Sequence, residues 1–332
     1  MRKRTMTLAV ALAAAGIGVV TVVPSSAAPA ATAPARTVGP ARASAASVPS
    51  RIAVHFDLTK GQMPENIAVG PDGTTYVTFA AARQVAAVTP SGGTRILATL
   101  PAPADGGVNT PVLSFALTTG IVRMTDGTLY FLYASGAAAT TGLYRLRPGR
   151  APHRIAALPA DGLPNGLAFD AQAKRFYLTD SVLGTISTVP LEGGQAEVWS
   201  SAPELAAAGF LGANGIKVRA GAVWATNLDH GTLLRIPVRQ GRPGPVRVVA
   251  TGLVGIDDFA FVGDQQVIAA LNGPNTLVSI DAAGRSRTLM TAADGLQNPT
   301  SVAVRGRSVY VLSAAYTTGV DPNLALATLP LR

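Results

Sequence analysis

Four residues of this chain recur at matching places and share one kind of chemistry. Glu65, Asn165, Asn214 and Asp257 each open a short, mostly apolar run: Glu65-Asn-Ile-Ala-Val69, Asn165-Gly-Leu-Ala-Phe169, Asn214-Gly-Ile-Lys-Val218 and Asp257-Asp-Phe-Ala-Phe261. Two carboxylates and two carboxamides offer oxygen ligands only. The chain has no Cys and 3 His, so a thiolate site is excluded and an imidazole-rich one is disfavoured. Such a donor set suits a hard cation, Ca²⁺ ahead of other divalent ions. The competing reading is that these side chains cap strand starts and hold one another by hydrogen bonds.

The spacing predicts how they meet. Leu113-Ser-Phe-Ala-Leu117 and Thr300-Ser-Val-Ala-Val304 complete a set of six runs, separated by about 48, 52, 49, 43 and 43 residues, a period typical of propeller blades. Each is followed by a second β-rich run, as in Thr75-Tyr-Val-Thr78, Phe176-Tyr-Leu-Thr179 and Val223-Trp-Ala-Thr226. A lone blade cannot bury both faces of its sheet, so the repeat implies one domain. The expected fold is all-β: a six-bladed β-propeller of four-stranded antiparallel blades over residues 51–332. A two-sheet sandwich fits the repeat less well, and a seventh inner strand is not found.

Blade 3 is the clearest. Its strands run from Asn165 to Asp170, Arg175 to Thr179, Gly184 to Pro190 and about Ala196 to Ser200, with a Glu192-Gly-Gly194 turn before the last. Blade 6 has room for only one strand after Ser308–Ser313, at Leu324 to Leu331. The spare strand Arg51–Asp57 is therefore expected to complete the last blade and close the ring.

In this register the inner-strand openings and the loops after the second strands share one face. Asp180, Asn227, His230 and Asn272 are the expected substrate contacts there, beside Asp229, Asn275 and Tyr316. His230 could serve as a general base or proton shuttle, but the favoured reading is a solvent-exposed loop histidine. His55 and His153 fall on outer strands or turns. No Gly-X-Ser-X-Gly elbow, His-Glu-X-X-His motif or phosphate loop occurs.

Residues 1–28 read as a secretory signal peptide: Arg2-Lys-Arg4, an apolar Thr7–Val23 stretch and small residues to Ala28. An uncleaved anchor is the alternative, but the apolar stretch is short and ends at Pro24. Residues 29–50, rich in Ala, Pro and Ser, read as a disordered linker. The expected product is extracellular and free of the membrane after cleavage, with a monomer favoured. The net charge of +9 is scattered, without a basic–aromatic stripe, so nucleic acid is not an expected partner.

Pro64-Glu-Asn-Ile-Ala-Val-Gly-Pro-Asp-Gly73, Pro164-Asn-Gly-Leu-Ala-Phe169 with Phe176-Tyr-Leu-Thr-Asp-Ser181, and Asn214-Gly-Ile-Lys-Val218 with Val223-Trp-Ala225 resemble the SMP-30/gluconolactonase/LRE-like propellers. The resemblance covers residues 51–332. It implies a six-bladed propeller with a divalent metal in its channel, held by Glu65, Asn165, Asn214 and Asp257. It further implies a lactone-hydrolysing activity in which Asp257 serves as catalytic base. Two functions are therefore expected: a secreted metal-dependent hydrolase of a lactone or related cyclic ester, or a non-catalytic propeller binding a ligand or protein at the channel mouth.

Overall fold

A computed structural model describes residues 48–264 and 266–330. The segment read as a signal peptide and most of that read as a linker lie outside the described residues. The last linker residues belong to the fold instead: Val48 is buried, and Ser50 already begins a strand.

Six antiparallel sheets form a six-bladed propeller, with only three short 3₁₀ turns among the described residues. The inner strands are Pro64–Val69, Leu117–Arg123, Pro164–Asp170, Ala213–Arg219, Ile256–Val262 and Pro299–Arg305. Each pairs outward in chain order. Blade 4 carries an unanticipated extra strand, Arg242–Pro243, on its long third strand Thr232–Arg239. In the last sheet, the strand Ser50–His55 pairs with Asn323–Thr328 at the outer edge, where the strand count required a fourth member.

The apolar pattern of the strands is consumed between blades. One buried cluster lies at each blade-to-blade interface; Tyr130, Leu132, Leu167 and Phe176 pack between blades 2 and 3, for example. A seventh cluster belongs to no single interface. It gathers Ala80, Leu117, Ala134, Leu163 and Leu211 from blades 1 to 4 at one end of the ring.

Every inner strand breaks register at its opening. The irregularities fall between Pro64 and Asn66, Thr118 and Ile121, Pro164 and Leu167, Ala213 and Ile216, Ile256 and Phe259, and Pro299 and Ser301. Bulges of this kind re-aim side chains at barrel and propeller rims. Glu65, Asn165, Asn214 and Asp257 all lie within them.

Blade 2 corrects the sequence reading. Residues 111–116 form turns and loop in which Val112 and Ser114 take positive φ, and the inner strand begins only at Leu117. The equivalent of Asn165 is Thr119, because Gly120 faces the Asn165 carbonyl as Gly166 faces that of Asn214. The apolar wording of Leu113–Leu117 imitates a strand opening. Its side chains instead pack on the seventh cluster.

The Asn-Gly dipeptides have a steric cause. A Cβ on Gly166 would lie 2.3 Å from the Asn214 carbonyl oxygen, and one on Gly215 would lie 2.7 Å from that of Asp257. Neighbouring inner strands approach too closely there for any side chain. Hydroxyls then stitch the ring. Thr226 Oγ1 accepts from Gly215 N–H at 2.8 Å and donates to the Asp257 carbonyl at 2.7 Å. Thr179 does the same between Gly166 and Asn214. In blades 2 and 6, Thr119 and Thr300 donate to the Pro164 and Pro64 carbonyls of the next blade at 2.8 and 2.9 Å.

Gly166→Ala should therefore destabilise the propeller by about 1–3 kcal/mol through overpacking of the inner ring. Gly273→Ala, with nothing within 4 Å of its added methyl and no positive φ, should be near neutral by comparison. Urea denaturation of the two variants makes the comparison.

Candidate metal and ligand site

The bulged openings deliver four oxygen-bearing side chains to the channel end of the ring, all nearly buried. Glu65 is 7% exposed, Asn165 5%, Asn214 3% and Asp257 6%. Neighbours fix how three of them present their oxygens. Tyr316 donates its hydroxyl to Glu65 Oε2 at 2.5 Å, and Asn272 Nδ2 donates to Asp257 Oδ2 at 3.1 Å. Asn165 Nδ2 donates to Ser181 Oγ at 3.1 Å, while Ser181 donates its one proton to the Ala213 carbonyl at 2.7 Å. Because Ser181 must accept from Asn165, the amide nitrogen is the atom facing it. One oxygen each of Glu65, Asp257 and Asn165 is thus left without a hydrogen bond among the described residues. The Asn214 carboxamide makes none there.

The electrostatics match this picture. Burial pushes the Glu65 carboxyl up to about 7, against the Tyr316 hydrogen bond and aided by the charge of Asp258. Burial, then the charges of Glu65 and Asp258, push Asp257 well above the usual carboxylate range. Buried like charges cannot both ionise cheaply without a compensating cation. Burial and the two carboxylates also raise the Tyr316 hydroxyl, keeping it a proton donor to Glu65.

Asp258 and Lys217 are additions that sequence reasoning missed. Asp258 is almost wholly buried and pairs with Lys217 Nζ at 2.6 Å across the boundary of blades 4 and 5. Lys217 also lies over the Phe259 ring. Burial raises the Asp258 carboxyl and Lys217 opposes the shift. The signal was present: a lysine inside the Ile-Lys-Val run and an aspartate doublet in the next blade.

Among the expected substrate contacts, Asn272 sits at the centre, bonded to Asp257. Asn227 is tied into its own loop. It is fully buried, and its amide donates to the Glu204 and Ala206 carbonyls while accepting from His230 N–H. These bonds build the loop. Asp180 does similar work, its Oδ1 accepting from the backbone N–H of Leu163, Val182 and Leu183. His230 is exposed. Asp229 organises the 206–210 segment by accepting from Ala208 and Phe210 N–H. Asn298 holds the Tyr316 loop through Thr317, accepting from its N–H at 2.8 Å and its hydroxyl at 3.0 Å.

The donor chemistry fits a hard cation: oriented carboxyl and carboxamide oxygens, and two carboxyls that a cation would allow to ionise together. No group of three or more His, Cys, Asp or Glu among the described residues is arranged to hold a metal. The set is half carboxamide, which that pattern does not encompass.

No protein-family model and no curated protein matches the chain. Solved structures share its fold at low identity. The calcium-binding protein regucalcin from Agrobacterium tumefaciens aligns at 15% identity with TM-score 0.62, covering 85% of this chain and 94% of that one. A gluconolactonase from Xanthomonas campestris aligns at 12% and 0.58, covering 86% and 88%. A catalytically inactive histidine-to-alanine virginiamycin B lyase from Staphylococcus aureus, with quinupristin, aligns at 14% and 0.59, covering 82% of each chain. At these identities the likeness establishes the six-bladed architecture.

The carboxyl shifts set a pH dependence. In chelator, the folded state keeps the Glu65 proton up to about 7, whereas the unfolded chain releases it near its ordinary value of 4.5. Stability should therefore fall as pH rises through that window. Asp257 and Asp258, raised by the same burial, act in the same direction. Thermal melts across the window should show a shallower decline for Glu65→Gln.

Proposed function

We propose that the protein is an exported, divalent-cation-dependent hydrolase acting on a lactone or related cyclic ester. The observation that carries this reading is the buried pair Glu65 and Asp257, each with one oxygen held by a neighbour and the other unbonded. Glu65, Asn165, Asn214 and Asp257 would hold the ion, with Ca²⁺ the cation best suited to their oxygens. When bound, the cation supplies charge to polarise a carbonyl and stabilise the oxyanion.

The chain's own residues supply the remainder. Asp257, held by Asn272, accepts a proton from water as the water oxygen bonds to the carbonyl carbon. The ring C–O bond then breaks, and the departing oxygen takes up the proton from Asp257 to give a hydroxy acid, which restores the carboxylate. Tyr316 orients Glu65, and Ser181 orients Asn165. The calcium-binding regucalcin and the gluconolactonase that share this fold support this direction.

A second reading, a binding propeller without catalysis, is favoured by one observation. Asp180 and Asn227 are engaged in loop backbone, which leaves few polar groups to grip a substrate. Turnover separates the two.

Calcium should raise the melting temperature of chelator-treated protein, since a ligand bound only by the folded state stabilises it by mass action. Asp257→Asn should weaken that rise and abolish lactone hydrolysis even at saturating calcium. Indifference of the melt to both calcium and chelator would remove the metal site, and the hydrolase with it. A calcium-dependent melt without turnover of any lactone would leave the binding propeller.

A further inference from the structure

The seventh apolar cluster lies on the same end of the ring as the carboxylates. Around its buried members pack Met63, Leu113, Phe115, Val182, Phe210, Leu228 and Tyr316, all only partly buried. They come from blades 1, 2, 3, 4 and 6. Blade 5, which supplies Asp257 and Asn272, contributes none. Tyr316 joins the two regions: it packs on the cluster while its hydroxyl bonds Glu65.

The mouth is thus two-sided. Its polar side is the Glu65–Asp257–Asn272 group. Its other side offers apolar surface, interrupted by the exposed Ser114 and His230; Asn227 is buried in its loop, and Asp180 and Asp229 each commit one oxygen to backbone N–H groups. A polyhydroxylated ring seated there would leave its hydroxyls unpaired, at a cost for each. An apolar body would gain from leaving water. Few polar groups fixing the orientation of an otherwise apolar ligand is the usual composition of small-molecule sites.

We propose that the ligand is amphipathic: a compact ester or lactone whose carbonyl faces Glu65 and Asp257. Its alkyl or aryl body lies against Leu113, Phe115, Phe210 and Leu228. These side chains set specificity for an apolar substituent and against sugar lactones. The inference rests on reading the mouth as a small-molecule site, and its test uses binding so that it does not depend on turnover.

The probes are non-hydrolysable six-membered lactams bearing a methyl, propyl or pentyl side chain, beside a polyhydroxylated lactam. Each is titrated calorimetrically into the full chain at saturating calcium. Affinity should rise roughly threefold to fourfold per added methylene, and the polyhydroxylated lactam should bind most weakly. Phe210→Ser should cut pentyl-lactam affinity roughly tenfold and flatten the chain-length series. Leu113→Ser, on a separate loop, should do so independently if either variant proves unstable. A flat series, tighter binding of the polyhydroxylated lactam, or no binding at all would overturn the proposal. So would self-association of the wild type that Phe210→Ser abolishes, which would assign the surface to a second copy. A rising series without hydrolysis of the matching lactones would leave this proposal standing and remove the catalytic reading. Hydrolysis with a flat series would do the reverse.

Discussion

The buried proximity of Glu65 and Asp257 is what the remainder of the mouth must accommodate. Two carboxyls that water barely reaches, with Asp258 close enough to raise both, can ionise together only against burial and mutual repulsion. Only part of that cost is answered within the chain: Lys217 pairs with Asp258, and Tyr316 and Asn272 each give one hydrogen bond. A buried polar group is kept when it is paired or when function needs it. Here the partners hold one oxygen of each carboxylate and leave the other unbonded, an arrangement suited to a cation and ill suited to a sealed core.

That arrangement depends on how closely the blades approach. Carbonyl oxygens of one inner strand sit where the preceding strand's Cβ would be, so glycine follows the channel residue in blades 2, 3 and 4. Threonine hydroxyls then bridge N–H and carbonyl groups from blade to blade. The same residues that tighten the ring therefore fix the backbone behind Asn214 and Asp257. Stability and site geometry share atoms here, and a change at Thr226 would reach the Asp257 backbone directly.

The fold was legible because a propeller repeats its signal, and six weak runs in register outweigh the ambiguity of any one. The same averaging hid the exception. Leu113-Ser-Phe-Ala-Leu117 has the composition of a strand opening, but positive φ at Val112 and Ser114 turns it into a loop, which composition does not reveal. Glu65, Asn165, Asn214, Asp257, Asn272 and Tyr316 could be placed on one end by register. Asp180 and Asn227 could be placed there as well, yet whether a polar side chain faces ligand or caps its own loop depends on local backbone geometry. The Asp258–Lys217 pair was not found, since its partners lie on different blades and each looks unremarkable in its own run. The apolar half of the mouth was likewise hidden: its residues come from five blades and share no motif.

The central claim is that the bulged openings of blades 1, 3, 4 and 5 converge on one cation. A crystal structure of the protein soaked in calcium, with anomalous differences recorded at long wavelength, tests it most directly. The account predicts one strong peak at roughly 2.3–2.6 Å from oxygens of Glu65, Asn165, Asn214 and Asp257. A channel without a peak there at saturating calcium, or a peak that none of the four side chains reaches, would contradict it.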